Sequence, residues 1–258
     1  MAILNFRTAA AGFALATLML SAIVPTQAQA QTVDPAAVQT LQRTLDYLAS
    51  LKQFSVHTQN TVEEVLDLGQ KIQFDSSNIL MIKRPNKLLA KRHGDIVDQS
   101  FSYDGKTLSL FNASHNYFAS VPAPDSIEAM LDYARESLGI IAPASDLVYT
   151  NAFPLMMEHV WSAIIVGKAV IGGVTTDHLV FSRPDVDFQI WVPETGDPLP
   201  RKYVVTDKLH FAHPSTTVVM SDWNVAPNLT DSVFNFNPPQ NATETEFLRL
   251  DASSASAQ

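Results

Sequence analysis

Apolar residues recur along this chain with two different periods, and the changes of period divide it into elements. Val38, Leu41, Leu45 and Leu48 are spaced three, four and three apart, which is one face of a helix. Asp34 is a suitable cap before them, and Pro35 suits the first helical position. The spacing predicts a helix from Pro35 to about Leu51. From Phe54 to Val62 the period drops to two, the mark of a half-buried strand. Gly69 turns the chain, and Lys71–Phe74 opens a second strand that runs into Ile79-Leu-Met-Ile82. Pro85 ends that strand, because proline cannot donate to a sheet ladder. Leu88, Leu89 and Ala90 begin the next one. Asp104-Gly105, between Phe101-Ser-Tyr103 and Leu108–Phe111, is a hairpin signal. Tyr117–Val121 continues the meander.

Pro122 and Pro124 interrupt the strands. Asp125 or Ser126 caps a helix over Ile127–Leu138, with Ile127, Met130, Leu131, Ala134 and Leu138 on one face and Gly139 as its stop. Ile140–Tyr149 is apolar but rich in breakers, so it reads as loop and short helix. Phe153–Trp161 reads as another short helix entered through Pro154. Strands resume over 163–171, 174–181, 187–192, 199–206 and 216–225, with turns at Gly172-Gly173 and Glu194–Pro198. Phe234–Pro239 closes the core. From Asn241 the chain is polar and is expected to be disordered. The order is helix, five or six strands, a helical insert, then five strands. Without β–α alternation at crossover spacing, this predicts a mainly β fold with α (α+β). It consists of one large curved antiparallel sheet with helices gathered on one face.

The first thirty residues stand apart. Met1–Arg7 carries one positive charge, Ala9–Val24 is an apolar run, and Ala28-Gln-Ala30 is a small-x-small site. Together they predict a signal peptide cleaved after Ala30 and export to the periplasm. Residues 31–240 then form a single domain, with 125–161 as its helical insert. The net charge of −9 argues against nucleic acid and against electrostatic attachment to anionic lipid. The chain has no cysteine, so no disulfide staples it.

Motifs for nucleophilic, phosphate-binding or zinc chemistry are missing from the sequence. His210 and His213, three apart in a strand or turn, face opposite ways on a regular strand. Asp185 and Asp187 share a strand face and read as a solvated edge. The expectation is a binding protein, not an enzyme, without cofactor or metal.

Three motifs in order carry a resemblance. Lys83-Arg84-Pro85-Asn86, Asp104-Gly105-Lys106-Thr107-Leu108 with Phe111-Asn112, and Phe234-Asn-Phe236-Asn-Pro238-Pro239-Gln240 are similar to motifs of the LolA/LolB-type periplasmic lipoprotein carriers. The layout of the whole chain after residue 30 is also similar. Within that clan the middle of the chain resembles the uncharacterised predicted periplasmic proteins grouped as a domain of unknown function. The resemblance implies an incomplete barrel whose apolar concave face is covered by helices and shields a lipid chain from water. It also implies that Arg84, before the strand-turn proline, lies under the lid and affects closing and release. The chain departs from the carriers in being longer around 143–169.

A pocket for an acyl chain is physically reasonable. Each buried methylene contributes about 0.8 kcal/mol, so a sixteen-carbon chain gains roughly 12 kcal/mol gross, and a carrier must also open to release it. The insert supplies Met130, Leu131, Leu138, Ile140, Ile141, Phe153, Leu155, Met156 and Trp161 as candidate lid and lining residues. Methionine adapts to variable apolar partners. Taken singly, each of these residues also fits an ordinary core. The expected function is a non-enzymatic carrier for a lipid or lipoprotein acyl group, served by a membrane-bound donor or acceptor protein. The alternative is a protein-binding envelope sensor on the same fold.

Overall fold

The computed structural model describes residues 32–95 and 97–248. The signal peptide expected over residues 1–30 lies outside them. The described residues belong to one compact unit, and its frame is one sheet of twelve strands.

The elements follow the periodicity of the sequence. Helix α1 (Pro35–Ser50) starts where Asp34 accepts a 2.8 Å hydrogen bond from the Ala36 amide, and it buries Ala37, Leu41, Leu45 and Leu48. Strands β1 (Gln53–Val65) and β2 (Lys71–Lys83) form a long hairpin. Next come β3 (Lys87–Gly94), β4 (Asp98–Tyr103), β5 (Thr107–Asn112) and β6 (Tyr117–Pro122). Helix α2 (Ile127–Leu138) is capped by Ser126, whose Oγ accepts from the Ala129 amide at 3.2 Å. It stops at Gly139, which sits at φ 65°, a conformation in which glycine avoids the steric cost of a side chain. A 3-10 turn (Ser145–Val148) and helix α3 (Ala152–Met157) complete the insert. Strands β7 (Ser162–Ile171), β8 (Val174–Ser182), β9 (Val186–Pro193), β10 (Lys202–Asp207) and β11 (Ser215–Asn224) then return the chain to the sheet.

Hydrogen bonding orders the strands β12-β6-β5-β4-β3-β2-β1-β11-β10-β9-β8-β7, where β12 is Thr243–Thr245. All pairs among β1–β11 are antiparallel. The sheet is open: no pairing among the described residues joins β7 to β6 or β12. This is the incomplete, mainly β architecture predicted from the sequence.

The register decides which face is apolar, because residues directly opposite one another share a face. Phe54 pairs with Ile82, Ile82 with Leu88, Leu88 with Tyr103, and Tyr103 with Leu108. One step along, Val56, Leu80, Ala90 and Phe101 form a second apolar row. Helices α1 and α2 and the 140–149 segment pack on this face and share its buried core. On the opposite face, near β5 and β6, Phe236 lies against Phe111 and Phe118 with ring centroids 6.2 and 5.4 Å away.

Three boundaries differ from the sequence reading. Helix α3 ends at Met157 instead of reaching Trp161. His159 adopts φ 60°, and the Trp161 amide already donates to the Ser182 carbonyl at 3.0 Å, so the chain enters the sheet there. Strand β10 begins at Lys202 instead of Leu199, since Pro198 and Pro200 have no amide to give a ladder. Finally, the polar tail expected to be disordered from Asn241 contributes β12, which pairs in parallel with β6.

Candidate functional site

A cavity of about 370 Å³ lies between the apolar face of the sheet and the helical insert. Its floor is set by strand alternation: Phe54 and Val56 of β1, Leu80 of β2, Phe101 of β4, and Val218 and Met220 of β11. Its roof is Met130, Leu131 and Ala134 of α2 with residues 140–148, and Leu48 of α1 closes one side. The volume falls in the range of about 300–1,000 Å³ typical of ligand pockets.

The insert is attached to the sheet by a few polar links. Arg84, in the β2–β3 turn, donates through Nη2 to the Val148 carbonyl at 2.6 Å. Its Nη1 lies 3.5 Å from Glu128 Oε1, and its Nε is buried without a partner. Burial lowers the Arg84 pKa, while Glu128 opposes the shift. Glu128 Oε1 also accepts from the Thr150 amide at 3.2 Å and from its hydroxyl at 3.0 Å. One guanidinium and one carboxylate therefore join a sheet turn, α2 and the chain after the 3-10 turn. The Ile127 amide, at the start of α2, donates to the Pro85 carbonyl at 3.1 Å.

Other links work nearby. Tyr103 is fully buried and donates to the Pro124 carbonyl, which holds the connection between β6 and α2. Burial, followed by Asp125, Asp104 and Glu128, pushes its hydroxyl up to about 12. Tyr149 donates to Asp132 at 2.8 Å. Burial and that carboxylate raise the Tyr149 pKa to about 12. Asp132 also accepts from Arg135 at 2.7 Å. Neither phenol ionises near neutral pH, so both act as fixed donors.

The residues chosen from the sequence divide into groups. Met130, Leu131 and Ile141 line the cavity, Met130 deep inside and Ile141 at the rim, where it is 83% exposed. Arg84 is not among the lining residues and serves as a link to Val148 and Glu128. Leu138, Phe153, Met156 and Trp161, expected on the cavity, stand elsewhere. Leu138 and Met156 are buried in the core and Phe153 packs against it. The reason for the α3 residues is that this helix packs on α1 and the 3-10 turn. Trp161 lies beyond the end of α3, with Lys208 Nζ 5.4 Å from its ring.

The structure adds residues that the sequence reading passed over. Thr58, Asn60, Asn78 and Arg92 line one part of the cavity. Their signal was present in the sequence: each occupies the phase of the apolar face, in line with Phe54, Val56, Leu80 or Leu88. Asp146, on the roof, has its pKa raised chiefly by desolvation, against the influence of Arg135 and of Tyr203, whose hydroxyl lies 3.5 Å away.

The fold is similar to several solved structures. An uncharacterized conserved protein from Thermus thermophilus aligns at TM-score 0.48 and 10% identity, over 82% of this chain and 99% of that one. The Mycobacterium tuberculosis lipoprotein LppX aligns at TM-score 0.45 and 17% identity, over 77% and 100%. A LolA superfamily protein from Nitrosomonas europaea aligns at TM-score 0.40 and 12% identity, over 78% and 97%. No curated protein matches the chain. Residues 37–248 match the family described as "Predicted periplasmic protein (DUF2092)", a span that takes in the sheet, the helical insert and the closing segment. The chain belongs to the DUF2092 family of predicted periplasmic proteins.

Proposed function

We propose that this protein is a periplasmic, non-enzymatic binding protein that carries a lipid or lipoprotein acyl chain. The observation that carries the reading is the cavity: a covered, predominantly apolar space between a sheet and an insert that packs on it and is tied to it by a small number of polar contacts. An acyl chain placed there gains about 0.8 kcal/mol per methylene removed from water. Release then requires the roof to move away from the sheet, and the links of Arg84 to Val148 and Glu128 are contacts that this movement would break. Arg84 acts as the latch in this reading. A membrane-bound donor or acceptor protein would supply and remove the cargo.

The test is titration with a fluorescent acyl probe. Native protein is expected to bind the probe with saturation. Leu131→Trp, which fills the roof of the cavity, is expected to weaken binding about tenfold or more while leaving the circular dichroism spectrum unchanged, because two or more displaced methylenes are worth that much. Saturable binding unaffected by Leu131→Trp would move the probe to another surface and remove the cavity from the proposal.

A further inference from the structure

Beyond the apolar rows, the same face of the sheet turns polar. Thr58 lies opposite Asn78, Asn78 opposite Arg92, Arg92 opposite Gln99, and Gln99 opposite Asn112. A polar row thus crosses five strands, one step along from Val56, Leu80, Ala90 and Phe101. On the far side of Thr58, Asn60 continues the polar character along β1. A core shared between two layers would carry apolar residues in this phase. Here Thr58, Asn78 and Arg92 of the row, with Asn60, reach the cavity wall.

The groups in this band are not mutually satisfied. Asn78 is occupied: its Nδ2 donates to Thr58 Oγ1 at 3.2 Å and to the Ser76 carbonyl at 3.3 Å. Asn60 Oδ1 and Arg92 Nε are buried without hydrogen-bond partners. Three cations line the cavity. Arg135 is paired with Asp132 at 2.7 Å, and Lys91 is exposed to solvent. Arg92 is half-buried, with no carboxylate partner among the described residues. A guanidinium held partly out of water without a counter-anion is a cost to the fold unless something else supplies the anion.

Resting on the carrier reading, we infer that the polar band is a headgroup subsite, and that the cargo is an amphiphile with an anionic oxygen headgroup, carboxylate or phosphate, held by Arg92. The alkyl chain lies over Val56, Leu80 and Phe101. The headgroup oxygens accept from the Arg92 guanidinium, and a hydroxyl on the headgroup can donate to Asn60. A neutral chain gains the apolar burial but leaves Arg92 unpaired, so charge is where this site discriminates.

The test compares laurate, dodecyl phosphate, dodecanol and inorganic phosphate by calorimetric titration of the native protein, Arg92→Gln and Arg92→Lys. Native protein is expected to bind laurate or dodecyl phosphate at least about tenfold more tightly than dodecanol, the value of one charge-assisted hydrogen bond. The stronger of the two acids identifies the headgroup class. Arg92→Gln is expected to remove the preference while keeping dodecanol affinity, which also reports an intact fold, and Arg92→Lys is expected to restore part of it. Equal affinity for acids and dodecanol in native protein, or a preference that survives Arg92→Gln, overturns the headgroup subsite and leaves the carrier reading standing. Inorganic phosphate binding as tightly as dodecyl phosphate overturns the amphiphile assignment. Failure of all three alkyl compounds to bind removes the carrier reading and the subsite together.

Discussion

Arg84 concentrates the argument at the scale of single residues. Its side chain is 10% exposed and meets two partners on different parts of the insert, the Val148 carbonyl and Glu128. A hydrogen bond from a charged donor contributes about 1.5–3 kcal/mol. Arg84→Leu keeps most of the apolar stem and removes that contribution from the closed state. The expected outcome in a stopped-flow assay is release of a bound acyl probe about ten- to a hundredfold faster, with unchanged secondary structure. Release at the native rate would mean that Arg84 is not the latch. Residue type and spacing do not set Arg84 apart from its neighbours Lys83 and Lys87; the ordered motifs single it out. Arg92, Asn78 and Asn60 were harder to see. A polar residue in the phase of a buried face looks like an imperfect strand until the register lines it up with others.

At the scale of elements, what was local was legible. Helix caps at Asp34 and Ser126, the stop at Gly139, and the turns after Pro85 and at Asp104-Gly105 depend on residues a few positions apart, and the structure uses each of them. Non-local placements were not legible: α3 packs on α1, and β12 adds to β6 from more than a hundred residues away. The β1–β2 hairpin provides a test of how such placements are held. Desolvation would raise the pKa of Glu63. Hydrogen bonds from the Ser215 hydroxyl, Lys71, the Ser215 amide and Gln73 outweigh it and hold the carboxyl at about 2, from an ordinary 4.5. These bonds, 2.8 Å from both Ser215 groups and 3.1 Å from Lys71, tie the hairpin to the start of β11. A depressed carboxylate stabilises the fold fully above its unfolded pKa and loses that contribution as pH falls toward the folded value. Glu63→Gln is therefore expected to cost about 1–3 kcal/mol at neutral pH. The gap between variant and native should shrink steadily between about pH 4.5 and pH 2. Urea midpoints across that range check it; a gap that stays constant with pH would contradict it.

For the whole molecule, an open twelve-strand sheet leaves an apolar face that one layer of helix must cover. The cover leaves a cavity beneath it. The sequence indicated the sheet, the insert and the side of the sheet that the insert covers, because two-residue alternation marks a covered face. It did not reveal how the insert divides. Of its nine candidates, Met130, Leu131, Ile140 and Ile141 line the cavity, Leu138, Phe153 and Met156 join the core, and Leu155 and Trp161 are exposed, since apolar composition alone does not distinguish a residue facing a space from one facing a neighbour. The central claim is that the space is for an acyl chain. The most direct measurement is native mass spectrometry, with lipid extraction, on protein purified from its own cell envelope without detergent. The account predicts a stoichiometric mass addition that extraction identifies as a lipid or an acylated peptide. An empty protein that also takes up no acyl probe, or one recovered with a stoichiometric protein partner and no lipid, would contradict it.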